Sequence, residues 1–346
     1  MIKERDTLKI LKRNLVAHRS GHTVYPQVLD IHPAENGCNM DCAWCIGRDE
    51  KKPLKLLEWE LLENALGQIY VPEKKEYWPT EVHFCGCSSD PLLNHRVMKN
   101  AVRFLQDKAI IKVITNGAHL ERYLSDTMDL LLIDKLSISL DVTNERDFQQ
   151  YKRPQGRTSL KDILCAIKTI NEYRPIYNPK LSIYVTFVAT PATYSKEQWA
   201  HFFSVLRDLG VNHIQVRNDY TVFEEEFFKK VKAEIAEISE DLGAHQVRYD
   251  NNASFDIKYN EYLPRNKPCD YCMGYRLWPT IGADLSLYPC AHVANSSFHP
   301  LLNLSTSNYY SVYEEINSSF ELEPVKHCHG NCPSLMYFMN HLSEKN

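Results

Sequence analysis

Between about residue 27 and residue 242 the chain alternates short segments of strand periodicity with longer ones of helix periodicity, an order that few folds accept. Strands are expected near 27–32, 81–86, 110–115, 135–141, 181–188 and 212–217. Between them, LEWELLENALGQI carries Leu57, Leu61, Leu62, Ala65, Leu66 and Ile69 at helical spacing, and LKDILCAIKTI and WAHFFSVLRDL do the same. Six strands each followed by a helix imply an α/β chain with a parallel sheet and right-handed crossovers. A partial (β/α)6 barrel of the TIM type is the simplest closure.

The strands are two-faced. Leu29 and Ile31 oppose Asp30 and His32, Ile138 and Leu140 oppose Ser137, Ser139 and Asp141, and Ile214 and Val216 oppose His213, Gln215 and Arg217. In LSIYVTF the polar face carries Ser182, Tyr184 and Thr186. A closed eight-stranded barrel fills its lumen with branched apolar side chains, so a recurring polar stripe predicts a lumen that holds ligand and water. Ligands in such folds sit where strand C-termini release their loops.

The first of those loops holds Cys38, Cys42 and Cys45 at C-x3-C-x2-C spacing, just after QVLDIH. Thiolates bind soft metals and iron-sulfur clusters, and a four-iron cluster ordinarily takes four cysteines. Three leave one iron for another ligand. Structural zinc sites are four-coordinate and favour two paired C-x2-C or C-x4-C knuckles, whereas this loop offers three cysteines. Eleven cysteines in 346 residues suit metal ligation better than disulfides if the chain works in a reducing compartment. No apolar run has the length of a signal peptide or a membrane span, so a cytoplasmic protein without a membrane partner is expected. A net charge of -4 and the lack of any long Lys/Arg block argue against nucleic acid as a partner. A small molecule or a peptide fits better.

The cysteine spacing, with Trp44 directly before the third cysteine, resembles the radical S-adenosylmethionine (SAM) superfamily. That resemblance implies a 4Fe-4S cluster on Cys38, Cys42 and Cys45, SAM as the missing ligand, and reductive cleavage of SAM to a 5'-deoxyadenosyl radical. Trp44 would lie against the adenine. The second strand runs into GCSSDPLLN, where the family carries Gly-Gly-Glu-Pro; Ser88, Ser89 and Asp90 depart from that motif while Pro91 is retained. Read alone, SSDP is also a turn and helix N-cap signal. Asn116 in a TNG segment, Ser139 and Asp141 at the fourth strand end, and Arg153 in YKRPQG occupy further positions at which the family contacts SAM. The resemblance covers about residues 25–220.

Residues 244–268 are polar and irregular, and cysteines return at Cys269, Cys272, Cys290, Cys328 and Cys332. LWPTIGADLSLYP reads as a hairpin with GAD at its tip. A cysteine-flanked hairpin followed by a helix resembles the twitch or SPASM extension of radical SAM enzymes. Five cysteines fall short of the roughly seven that two auxiliary clusters would need, but Cys272, Cys290, Cys328 and Cys332 suffice for one auxiliary 4Fe-4S cluster, with Cys269 a substitute or bystander. A zinc site on Cys269, Cys272, Cys328 and Cys332 is the competing arrangement. The expected domains are a lead-in at 1–24, the barrel at 25–243, a linker at 244–268, the auxiliary domain at 269–335 and a tail at 336–346.

By analogy with twitch-bearing enzymes, the expected reaction is dehydrogenation of a sugar or aminocyclitol alcohol: an oxidoreductase whose auxiliary cluster accepts the second electron, with flavodoxin or ferredoxin as reductant. His213, Arg217 and Tyr184 are base or positioning candidates from strand parity alone, and each is equally a lumen side chain with no chemical role. A peptide maturase is one alternative, disfavoured by the 24 residues before the first strand, which leave little room for a recognition module. A radical epimerase is the other. It needs a thiol hydrogen donor, for which Cys85, with Cys87 nearby, is placed, although buried thiols usually serve as small apolar fillers.

Overall fold

The computed structural model describes residues 16–17, 20, 24–45, 53–70, 78–219, 224–244, 255–260, 274–291, 294, 300–310 and 314. The chain forms two compact units, one of Met1–Gly37, Glu50–Ile111 and Pro264–Asn346, the other of Cys38–Asp49 and Lys112–Leu263.

In the first unit β1 (Val28–Ile31) is central. It pairs in parallel with β4 (Glu81–Phe84) on one side and with β10 (Thr280–Ile281) on the other. β10 continues antiparallel into β11 (Ser286–Tyr288) and then β12 (Leu302–Asn303). A two-stranded ribbon of β2 (Ala34–Glu35) and β3 (Lys55–Leu56) follows β1. The helix Trp59–Ile69 buries Leu62, Ala65, Leu66 and Ile69, while His95–Leu105 buries Val97, Met98, Ala101, Val102 and Leu105. Both stripes follow the i, i+3, i+4 rule.

The second unit takes β5 (Ile110–Thr115) from residue 112 onward, then β6 (Lys135–Ser139), β7 (Ser182–Ala189), β8 (His213–Asn218) and β9 (Asp256–Asn260), all parallel. The helices Leu160–Tyr177, Lys196–Asp208 and Glu225–Asp241 provide the crossovers. Their aromatic residues define the apolar face of the strands: Phe187 of β7 lies 5.2 Å from Trp199 and 5.0 Å from Phe203, ring centre to ring centre. Ile183, Val185, Ile214 and Val216 are fully buried with it, and His213, Gln215 and Arg217 are only half-buried. The two-faced reading of β7 and β8 therefore holds.

The six expected strands are present within two residues of their expected ends. Two parts of the reading change. The segment 244–268, taken as an irregular linker, contains β9, because Asp256 and Ile257 match the polar and buried rows of β8 and add a parallel edge to it. The GAD hairpin forms, but its first strand joins β1 instead of standing in a separate domain, so residues 264–346 fall in the same unit as the chain's first strands.

Candidate functional site

Residues 38–45 carry no strand or helix; the loop is held to the 151–155 segment backbone to backbone. The amides of Asp41 and Ala43 donate to the carbonyls of Lys152 (3.1 Å) and Tyr151 (2.8 Å), and Gln155 N donates to Asn39 O at 2.8 Å. Trp44 stacks on Tyr151 with ring centres 6.2 Å apart. On its other flank, Asn116 Nδ2 reaches Asn39 Oδ1 at 2.8 Å and Cys38 Sγ at 3.4 Å. Asn116 thus braces the cysteine loop. Its neighbour Gly117 sits at φ +87°, and a Cβ there would lie 2.9 Å from the Ile163 side chain, so the TNG segment needs glycine for both reasons.

Asp141, two residues past the end of β6, has left-handed backbone (φ 62°), which Asp tolerates. Both of its carboxylate oxygens are engaged: Oδ1 accepts the amide of Val188 (3.0 Å), and Oδ2 accepts Lys152 Nζ (2.7 Å) and the indole Nε1 of Trp44 (3.4 Å). Lys152 is 2% exposed and also donates to the carbonyl of Ser139 at 3.0 Å. Burial works against its charge, but Asp141 and then Cys42 hold the ammonium far above the ordinary lysine range. Burial pushes the Cys42 thiol up; Lys152 pulls it back, and Asp141 and Cys45 raise it further. Arg153, the residue selected from sequence, has its guanidinium half exposed 3.6 Å from Asp41. Lys152 is the group the sequence reading missed. The five residues Phe148–Lys152 form a π-turn, which inserts one residue into the helical register and turns the lysine inward.

Cys38, Cys42 and Cys45 are all partly exposed and outside any disulfide. Within the loop, Asn116 Nδ2 donates to Cys38 Sγ at 3.4 Å. The donors fit an iron-sulfur cluster by chemistry: three soft sulfurs on one irregular loop, backed by a buried cation.

In the first unit, Ser88, Ser89 and Asp90 are buried and committed to the backbone. Ser88 Oγ accepts the amide of Asn36 at 3.1 Å, its carbonyl accepts Gly37 N at 3.2 Å, and Ser89 Oγ donates to the carbonyl of Ala34. Asp90 Oδ1 caps the turn Pro91–Leu93 through Leu92 N at 2.9 Å. This motif holds residues 34–37, the run leading into Cys38, which is the turn-and-cap use of SSDP. Cys85 is 8% exposed on β4's exit, and Cys87 Sγ donates to the carbonyl of Ala291, beside Cys290, at 3.0 Å. Cys290 packs against Tyr288 and Ala294. Cys269, Cys272, Cys328 and Cys332 lie outside the described residues.

Tyr184 and His213 are brought together as a stacked pair, ring centres 4.3 Å apart, in one register row with Asp256. His213 Nδ1 lies 2.5 Å from Asp256 Oδ1. His213 opens β8, whereas Arg217 sits near the end of that strand. The pair and the arginine therefore share a face but not a level, separated by about 13 Å along a strand of ordinary rise.

Residues 35–187 match the model of the radical SAM superfamily. Among curated proteins no sequence matches the chain. The chain is similar in structure to Streptococcus suis SuiB bound to the precursor peptide SuiA, with a TM-score of 0.64 and 13% identity over 99% of this chain and 79% of that one. It is also similar to native anSMEcpe with bound AdoMet, at a TM-score of 0.56 and 16% identity, covering 89% of each chain. These likenesses show the fold, the α/β arrangement of parallel strands and crossover helices expected for a partial barrel of the radical SAM type. No helix among the described residues is long and apolar enough to cross a membrane.

Proposed function

Because residues 35–187 form a radical SAM domain, a kind of domain that works with SAM and a 4Fe-4S cluster, we propose that this chain generates a 5'-deoxyadenosyl radical to abstract hydrogen from a peptide substrate. The cluster ligands in this proposal are Cys38, Cys42 and Cys45, and the observation that carries it is the clamped loop: three thiols outside disulfides, braced by Asn116 and backed by the Asp141–Lys152 pair. When bound, the reduced cluster supplies the electron that cleaves SAM. The chain's own residues do the rest. Asn116 and the 151–155 strip hold the loop's shape, Trp44 offers an aromatic face to an adenine, and Ser88, Ser89 and Asp90 keep the approach to Cys38 in place. Asp141 fixes Trp44 and Lys152 at the end of the fourth strand, the position at which the resemblance places a SAM contact. A peptide is favoured as substrate because the likeness to peptide-bound SuiB runs over 99% of the chain, past the end of the family match.

A second reading is dehydrogenation of a sugar or aminocyclitol alcohol, with an auxiliary 4Fe-4S cluster on Cys272, Cys290, Cys328 and Cys332 taking the second electron. The hairpin that leads to Cys290 supports it; the His213–Asp256 pair opens β8, away from the strand C-termini, and supplies no base there. Flavodoxin or ferredoxin is the proposed reductant under either reading.

The test is anaerobic reconstitution followed by reduction and addition of SAM. The expected result is 5'-deoxyadenosine from the native chain and none from Cys38→Ala; formation of equal amounts by both would sink the assignment. With deuterated substrates, transfer of label into 5'-deoxyadenosine from a peptide but not from an aminocyclitol supports the first reading, and the reverse result supports the second. About eight irons per chain would support an auxiliary cluster, whereas four irons with zinc would remove it.

A further inference from the structure

A fully buried lysine is costly, since burial disfavours the charged form and three hydrogen-bond donors must each find an acceptor. Lys152 meets most of that demand at one point of the second unit. Its ammonium donates to Asp141 Oδ2 at 2.7 Å and to Ser139 O at 3.0 Å, and it lies close enough to Cys42 for the two groups to interact electrostatically. Its backbone carbonyl meanwhile accepts the amide of Asp41, so the same residue holds the loop from both ends.

The surrounding charges make the position informative. Asp141 is the carboxylate paired with Lys152. On the proposed function three thiolates would gather on this loop, and Lys152 is the buried ammonium beside them. A positive charge fixed beside such a group in a region of low dielectric stabilises an added electron on it. An exposed Arg153, screened by solvent, has little such effect. An ammonium also suits separate acceptors such as Asp141 and Ser139 better than a planar guanidinium, which favours paired ones.

We propose that Lys152 is the built-in counter-cation of the cysteine loop, a positioning residue that clamps residues 38–45 against the end of β6 and tunes the reduction potential of the four-iron group the loop would hold. This rests on the radical SAM reading above.

The experiment is an EPR-monitored redox titration of the reconstituted full chain, following the four-iron signal that SAM perturbs, for native protein, Lys152→Met, Lys152→Arg and Asp141→Asn. Iron content and melting temperature are measured on each. Lys152→Met is expected to lower the ratio of reduced to oxidised cluster at fixed poise by about tenfold, a shift of about 59 mV for one electron. Lys152→Arg should restore most of it. Asp141→Asn should move the ratio the opposite way, because it removes negative charge beside the same ammonium, and a merely structural role predicts no such reversal. Should Lys152→Met fail to fold, the direction of Asp141→Asn decides alone. A loaded Lys152→Met with the native ratio, or an Asp141→Asn shifted in the negative direction or not at all, overturns the proposal while native SAM cleavage leaves the function standing. A native chain that takes up no iron overturns both.

Discussion

Among the buried residues of the first unit, His83 has the least ordinary surroundings. Its ring is 3% exposed, with Nε2 2.8 Å from Glu81 Oε1 and Nδ1 3.1 Å from Asp30 Oδ1, and Trp278 Nε1 donates to the same Asp30 oxygen at 2.7 Å. Burial opposes a charge here, but the two carboxylates outweigh it and raise the imidazole above its ordinary 6.5. A pKa raised by folding means that the contribution to stability is complete below 6.5 and fades as pH climbs through the higher folded value. His83→Gln is therefore expected to cost on the order of 1–3 kcal/mol at pH 6 and less at pH 9. Thermal melts of both proteins across that range check it, and a constant gap between them would count against a charged His83. Strand parity gave Asp30 its polar face and puts Glu81 on the same face of β4 as His83, but nothing in EVHFC marks His83 as the centre of a four-residue cluster, since Asp30 and Trp278 come from other parts of the chain. Lys152 was hidden for a different reason: one extra residue in the π-turn at Phe148–Lys152 decides whether it or Arg153 points inward.

At the scale of elements, the helix Leu160–Tyr177 shows how local signals position the site. Ser159 and Asp162 form a reciprocal capping box, Ser159 Oγ accepting Asp162 N at 3.2 Å and Asp162 Oδ2 accepting Ser159 N at 2.8 Å. That cap fixes where the chain turns from the 151–155 strip into the helix, and Ile163 in the first turn closes over Gly117. Ser159→Ala should cost about 1 kcal/mol, read as a lower denaturation midpoint with an unchanged slope. A larger loss, with 38–45 becoming protease-sensitive, would mean that the cap also supports the cysteine loop. The strands and this helix were legible because their apolar periods are strong. The cap of Pro91–Leu93 by Asp90 was equally legible as chemistry, since Asp-Pro opens a turn whatever the family motif does elsewhere.

For the whole molecule, the main change concerns residues 264–346. Sequence order suggests a barrel followed by a linker and a small cysteine-rich domain. Instead, β10 pairs with β1, Ala283 N donates to Glu35 at 3.0 Å, and Tyr310 Oη donates to the carbonyl of Ile69 at 2.5 Å, all within one unit. A chain ending at residue 263 would expose the β10 edge of β1 and the face that Tyr309 and Tyr310 cover, so it is expected to aggregate on expression, checked by light scattering. A monomeric, cooperatively melting truncation would restore the separate-domain view. By itself the sequence determined the order and faces of the strands, the three-thiol loop and its chemistry, because periodicity and ligand spacing are local properties. Only the tertiary structure decided that β9 and β10 extend the parallel pairing, that Asp141 holds Trp44, Lys152 and Val188 together, and that Lys152 rather than Arg153 stands behind the cysteines. Edge pairing and buried charge are settled between residues far apart in the chain, and no local pattern records them.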